Sequence, residues 1–162
     1  MERMPMTEPV MHLRKARPDE AAVVGRQRVS MFLEMGHVTE EGVPALLTTA
    51  TAYLERAMSE GTYHGWLMTL PDGRAVGGAG LLLRPLLPRP DALHGPEAVV
   101  LNVYVEPEFR RRGIARNLMV ALLDWCRQQG IPRIVLHPTT NGQPLYESLG
   151  FIPSGEMLYR GR

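Results

Sequence analysis

"VYVEPEFRRRGIARNLM", residues 103–119, decides how this chain of 162 residues is read. It runs from a β-branched apolar stretch, through Glu106-Pro107, into a helix whose start is crowded by Arg110, Arg111, Arg112 and Arg116, with Gly113 among them. The N-terminal end of a helix carries partial positive charge, so each cation there costs about 0.3–1 kcal/mol. A helix start also presents unpaired backbone N–H groups, and a neighbouring glycine lets a ligand approach the main chain closely. The segment therefore reads as an anion site. Guanidinium groups that repel one another in the empty protein make strong charge-assisted bonds once a polyphosphate sits among them. One competing reading is a solvated charged turn, cheap because exposed charges are screened. Another is a nucleic-acid patch on Arg110 to Arg112, for which interleaved aromatics and a basic domain are missing.

Working outward, "AVVLNVYV" at 98–105 is apolar and β-branched enough for a buried central strand. Beyond the arginines, Ile114, Leu118, Ala121, Leu122 and Trp125 mark one helix face, which Gly130 closes, and "RIVLH" resumes as a strand at 133–137. A strand, a helix and a strand joined by short connections form a right-handed crossover, so 98–105 and 133–137 are expected to run parallel. Upstream, a short strand at 11–16 precedes a helix capped by Asp19 and running to about Glu34; a second helix covers Ala45 to Glu60 and ends at Gly61. Strands at 64–70 and 74–83 join through Asp72-Gly73, a hairpin signal. Four prolines between 84 and 97 predict a long covering loop. A short helix at 143–149 ends at Gly150, and "FIPSGEMLYR" reads as a final strand. The expected fold is mixed α/β: a mostly antiparallel sheet of six or seven strands, one splayed parallel pair and about four helices. Residues 1–10 read as a flexible terminus and 11–162 as a single domain.

Composition sets broad limits. With 44% hydrophobic and 22% charged residues and a net charge of +1, the chain resembles an ordinary globular protein, not a nucleic-acid binder. One cysteine, Cys126, permits no intramolecular disulfide, and it falls on the apolar helix face as core. No apolar run approaches the ~20 residues that span a bilayer, so no membrane partner is expected and a cytoplasmic location is the simpler reading. The five histidines have no metal-like spacing, and no metal is expected. "GGAG" at 77–80 lacks the third glycine of a dinucleotide fingerprint and reads as close packing.

Arg110, Gly113 and Ala115 fill the Arg/Gln-x-x-Gly-x-Gly/Ala pattern, the strand ending Val103-Tyr104-Val105 directly precedes it, "LYESLGF" follows at 145–151, and "LRKARPDEA" opens the chain. Together these resemble the GNAT superfamily of N-acetyltransferases over residues 11–160. The resemblance implies acetyl-CoA as co-substrate. Its pyrophosphate would lie on the backbone N–H groups from Arg111 through Arg112, Gly113, Ile114 and Ala115 to Arg116, and its pantetheine amides would pair with the strand edge at Val103, Tyr104 and Val105. Arg110 and Arg116 are the candidates for the outer phosphates.

Acyl transfer from a thioester to an amine needs a neutral nucleophile, a polarised carbonyl and a stabilised thiolate. Tyr146 resembles the family's acid; with a phenol near pKa 10 and a thiol near 8.5, full proton transfer is uphill by roughly 2 kcal/mol, so hydrogen-bond donation is its expected role. A backbone N–H of the Val103–Val105 strand would hold the carbonyl oxygen. Asn102, an amide among valines and leucines, is expected to have a specific hydrogen-bond task such as positioning water. Glu34, His37 and His137 are the remaining candidates for a base or relay. The glutamate that members acetylating protein N-termini carry before the tyrosine is absent from "RIVLH", which speaks against that acceptor. No role transfers to Asn141. The acceptor, a small-molecule amine or a peptide, is expected between 36–44 and 84–97, where Glu40 and Glu41 join Glu34 as groups suited to a cation. A homodimer rests on family analogy alone. The competing functional reading is a non-catalytic CoA-binding or regulatory module.

Overall fold

The computed structural model describes residues 9–161. The expected flexible segment 1–10 therefore lies, apart from Pro9 and Val10, outside the described residues. In chain order the elements are β1 (His12–Lys15), α1 (Ala21–Glu34), α2 (Val43–Glu60), β2 (Tyr63–Thr69), β3 (Ala75–Arg84), β4 (Glu97–Val105), α3 (Ile114–Gln128), β5 (Arg133–Val135) and α4 (Gln143–Ser148). The strands form one sheet in the order β1-β2-β3-β4-β5, antiparallel except for the β4–β5 pair.

Two apolar layers cover the sheet. On one face Trp66, Met68, Val76, Leu81, Ala98 and Val100 pack under Ile114, Leu118, Leu122 and Cys126 of α3. Full burial of each aliphatic side chain contributes about 1.5–3 kcal/mol, so the i, i+4, i+8 spacing that marked this helix also anchors it. On the other face Ala21 and Val24 of α1 meet Leu54, Ala57 and Met58 of α2 over Tyr63. Gly61, at φ +74°, closes α2, and Gly73, at φ +88°, turns the β2–β3 hairpin. The loop after β3 is tied down where buried Glu97 receives Arg84 at 2.6 Å and Arg133 at 2.8 Å, while Arg133 also reaches Asp91 of the loop at 3.3 Å.

Two expectations need correction. Asp19 does not cap α1. A short 3-10 turn, Pro18–Glu20, precedes the helix, and the carboxylate of Glu20 accepts the backbone N–H of Arg17 at 2.9 Å while Asp19 takes the Arg17 side chain instead. The sheet has five strands among the described residues, not six or seven: 151–161 forms no strand. Pro153 cannot donate to a ladder, and Ile152, Met157, Leu158 and Tyr159 stay exposed without a face to pack against.

The parallel pairing is short. It ends at Val99 opposite Val135, while β4 continues to Val105, so the outer edge of β4 runs unpaired toward the start of α3. This is the expected splay, and it positions the site.

Candidate active site

The turn between β4 and α3 is built from residues in unusual backbone regions. Arg111 at φ +63° and Gly113 at φ +74° are both left-handed, a conformation costing a non-glycine residue about 1–2 kcal/mol. Such strain persists only where surrounding structure enforces it, and it clusters at functional positions. Among the described residues no side chain caps α3, and its first inward bond runs from the N–H of Asn117 to the Gly113 carbonyl at 3.0 Å. The N–H groups of Ile114, Ala115 and Arg116 therefore have no intrahelical acceptor.

The four arginines divide into two kinds. Arg110, though exposed, is neutralised: its Nε donates to the Val105 carbonyl at 2.8 Å and its Nη2 to Glu34 at 2.7 Å, tying the end of β4 to the end of α1. Glu34 also accepts the Tyr104 hydroxyl at 3.2 Å, so this carboxylate is engaged twice. Arg111, Arg112 and Arg116 are exposed and, among the described residues, have no carboxylate partner. Arg112 donates to the Glu108 carbonyl at 3.2 Å and lies over Phe109, and Arg116 donates to Ser148 of α4 at 2.8 Å. This is the set of N–H donors and unneutralised cations that a diphosphate fits.

Asn102 sits at a β-bulge. Gly78 pairs with Tyr104 and Gly80 with Leu101, leaving Asn102 and Val103 opposite the single residue Ala79. At φ +58° Asn102 occupies the left-handed region that its short polar side chain tolerates. The extra residue flips the strand: Ala98 and Val100 before the bulge and Val103 and Val105 after it all face α3, whereas Asn102 points to the α1 side. There its Oδ1 accepts Arg28 at 2.6 Å and its Nδ2 donates to the Tyr63 hydroxyl at 2.9 Å. Tyr63 is fully buried and pushed up to about 12, burial outweighing the bond from Asn102. A side chain at Gly80 would overlap the Tyr63 hydroxyl, and one at Gly78 would overlap Gln27, which gives "GGAG" its close-packing role. Arg28 and Tyr63 were not legible as site residues; the glycines that make room for the tyrosine were their only trace in the chain.

Tyr146 lies on α4, its ring half-buried and edge-on to Phe151 at 6.0 Å between centroids. Burial raises its hydroxyl above the ordinary phenol value. Through Ser148 the same helix bonds to Arg116, so one short element joins the arginine turn to the tyrosine. The other candidates disperse: His137 pairs with exposed Glu156 at 2.5 Å, His37 stacks on Phe32, and Glu40 and Glu41 lie exposed in a turn before α2. No helix among the described residues is long and apolar enough to cross a membrane.

Comparison with known proteins bears on the family and the fold. Residues 34–151 match the family model described as the acetyltransferase (GNAT) family. A glucosamine 6-phosphate N-acetyltransferase from Trypanosoma brucei is 30% identical over 136 residues, covering 82% of this chain and 88% of that protein. The [ribosomal protein bS18]-alanine N-acetyltransferase of Salmonella typhimurium is 38% identical, over 58 residues only, 34% of this chain and 39% of that protein. Among solved structures, a GCN5-related N-acetyltransferase from Ralstonia eutropha superposes with a TM-score of 0.85 at 33% identity, covering 93% of this chain and 98% of that one. At 21% identity, an acetyltransferase from Clostridium acetobutylicum, solved with acetyl-CoA, shares the fold with a TM-score of 0.82 over 94% of this chain and 96% of that one. The family model over residues 34–151, together with the Trypanosoma and Ralstonia relatives that match most of the chain, places it in the GNAT family of acyltransferases, whose acetyl donor is acetyl-CoA.

Proposed function

We propose that residues 11–162 act as a single domain that moves the acetyl group of acetyl-CoA directly to a primary amine on a small molecule or peptide, with Tyr146 donating to the departing thiolate. The observation that carries this reading is the continuity of the open β4 edge with the strained turn at Arg111 and Gly113. Acetyl-CoA supplies an activated acyl carbon: the neutral amine adds to it, the C–S bond breaks, and the sulfur leaves with the bonding pair.

The residues of the chain do the rest. Backbone N–H groups from Arg111 to Arg116 receive the diphosphate, and the side chains of Arg111, Arg112 and Arg116 neutralise it. Arg110 has another task. It locks the turn onto Val105 and Glu34, which holds those N–H groups in place before ligand arrives. The edge at Val103 to Val105 pairs with the pantetheine amides, and an N–H released by the bulge holds the carbonyl oxygen. The Asn102 amide accepts from Arg28 and donates to Tyr63, which maintains the bulge, and its second N–H and second lone pair remain for positioning water. Tyr146, whose raised pKa keeps its proton well past neutrality, donates a hydrogen bond to the thiolate. Glu34, held by Arg110 and Tyr104, is poorly placed to serve as base, and the amine proton leaves through water. A small-molecule acceptor is favoured by the Trypanosoma relative, which matches over most of both chains.

Tyr146→Phe tests the assignment. Turnover, followed as free thiol release with a panel of amines, is expected to fall about 10²-fold, while acetyl-CoA affinity by calorimetry changes less than about twofold. Unchanged turnover would remove Tyr146 from the mechanism. Binding heat without thiol release from any amine would favour a non-catalytic CoA-binding module, and the absence of binding heat would overturn both readings.

A further inference from the structure

Three described arginines are not exposed: Arg14, Arg28 and Arg133. Arg14 faces Glu20 and Arg133 faces Glu97 and Asp91, each within 3.3 Å. Arg28 faces no carboxylate among the described residues. Its guanidinium lies over Phe32, 4.6 Å from the ring centroid, and of its five N–H donors one is bonded, to Asn102. Taking a cation out of water without a counter-charge is unfavourable, and an incoming anion offsets that cost through charge-assisted bonds. The arginine turn before α3 follows the same logic, and Arg28 repeats it on the opposite side of β4.

Its position specifies which anion. Asn102 directly precedes the Val103–Val105 edge, one of whose N–H groups holds the acetyl carbonyl in the reading above, and α1, which carries Arg28, leads into the 36–44 segment expected to border the acceptor. We propose that Arg28 is a specificity-determining residue that binds an anionic group, a carboxylate or a phosphate, carried by the acceptor a few bonds from its amine. Phe32 fixes the plane of the guanidinium, and Asn102 fixes its rotation. The fork then presents a bidentate face to a planar carboxylate or to two phosphate oxygens. The acceptor class is accordingly amino acids or aminoalkyl phosphates in preference to simple alkylamines. This inference rests on the transferase reading, and its test separates the two.

Calorimetry with acetyl-CoA comes first: an absence of binding heat would sink the transferase reading itself. Thiol release is then compared within matched pairs, amino acids against their amides and phosphoethanolamine against ethanolamine. The anionic member of at least one pair is expected to have a kcat/KM about tenfold or more above its neutral partner, and the pair that shows this tells carboxylate from phosphate. Arg28→Gln is expected to lower kcat/KM for the anionic member at least about tenfold more than for the neutral member, whatever common loss both suffer through the bulge. Arg28→Lys, which keeps the charge, retains a reduced preference and guards against a variant that fails to fold. Equal turnover of both members in every pair, or an equal loss on both in Arg28→Gln, would overturn the proposal and leave Arg28 as a support of the bulge.

Discussion

Two helix starts in this molecule are rich in arginine, and they handle the charge in opposite ways. Before α1, Arg14 forms a two-pronged bond to Glu20 at 2.8 and 2.6 Å, Arg17 reaches Asp19 at 3.1 Å, and Glu20 accepts the Arg17 N–H. The hydrogen bonds from Arg14 prevail over burial and bring the Glu20 carboxyl down to about 2. Before α3 the backbone is twice left-handed, and among the described residues Arg111, Arg112 and Arg116 have no such partner and no side chain caps the helix. The first corner is complete by itself. The second leaves its N–H groups and charges without partners among the described residues, and on the proposed function that difference separates a structural corner from a binding one.

The comparison can be broken most directly by removing charge from each corner in turn. Replacing Arg111 and Arg116 together by alanine is expected to weaken acetyl-CoA binding about 10²-fold by calorimetry, each lost charge-assisted bond being worth about 1.5–3 kcal/mol at most. The melting temperature of the unliganded protein is expected to hold or rise, since repulsion at the helix start is relieved. A clear loss of stability would mean that these arginines are structural after all. A smaller effect is expected from Gly113→Ala. No atom lies within 4 Å of the added methyl, so the cost is backbone strain at φ +74°, about 1 kcal/mol, with acetyl-CoA affinity falling about tenfold as the cradle distorts. Unaltered affinity in this variant would detach the turn from the ligand.

The corner before α1 responds more weakly. Glu20→Gln is expected to leave acetyl-CoA affinity unchanged and to cost about 1 kcal/mol of stability, given partial solvent screening. The folded-state value of about 2 lies below the ordinary 4.5, so this contribution is complete above pH 4.5 and disappears as pH falls toward 2. Denaturation curves of the wild type and the variant are therefore expected to differ at pH 6 and to converge near pH 2. A constant gap across that range would show that Glu20 acts through packing and not through its charge.

How far the chain could be read follows from the range of the forces involved. The buried stripe Ile114, Leu118, Leu122 and Cys126 was legible because helical spacing repeats within a few residues, and the Asp72-Gly73 turn and the Gly61 stop are equally local signals. The arginine turn was legible for the same reason, since the conflict between cations and a helix start lies within seven residues. The Asn102 bulge was not: alternation in "AVVLNVYV" is compatible with either register, and only pairing with Gly78 and Gly80 on β3 decides where the extra residue sits. Arg110 looked like its neighbours until the end of α1 brought Glu34, 76 residues away in the chain, to 2.7 Å. The last segment had the composition of a strand but found no sheet face on which to bury Met157, Leu158 and Tyr159.

Near neighbours in the chain were enough to set the helices, the strands up to β5, the crossover that makes β4 and β5 parallel, and the crowding of cations at the start of α3, because propensity, periodicity and helix-end electrostatics act over short separations. Packing between distant elements is what neutralises Arg110 and leaves Arg28 without a carboxylate among the described residues. Arg28, Asn102 and Tyr63 meet across separations of up to 74 residues, and whether a buried charge finds a partner depends on packing that no local pattern encodes.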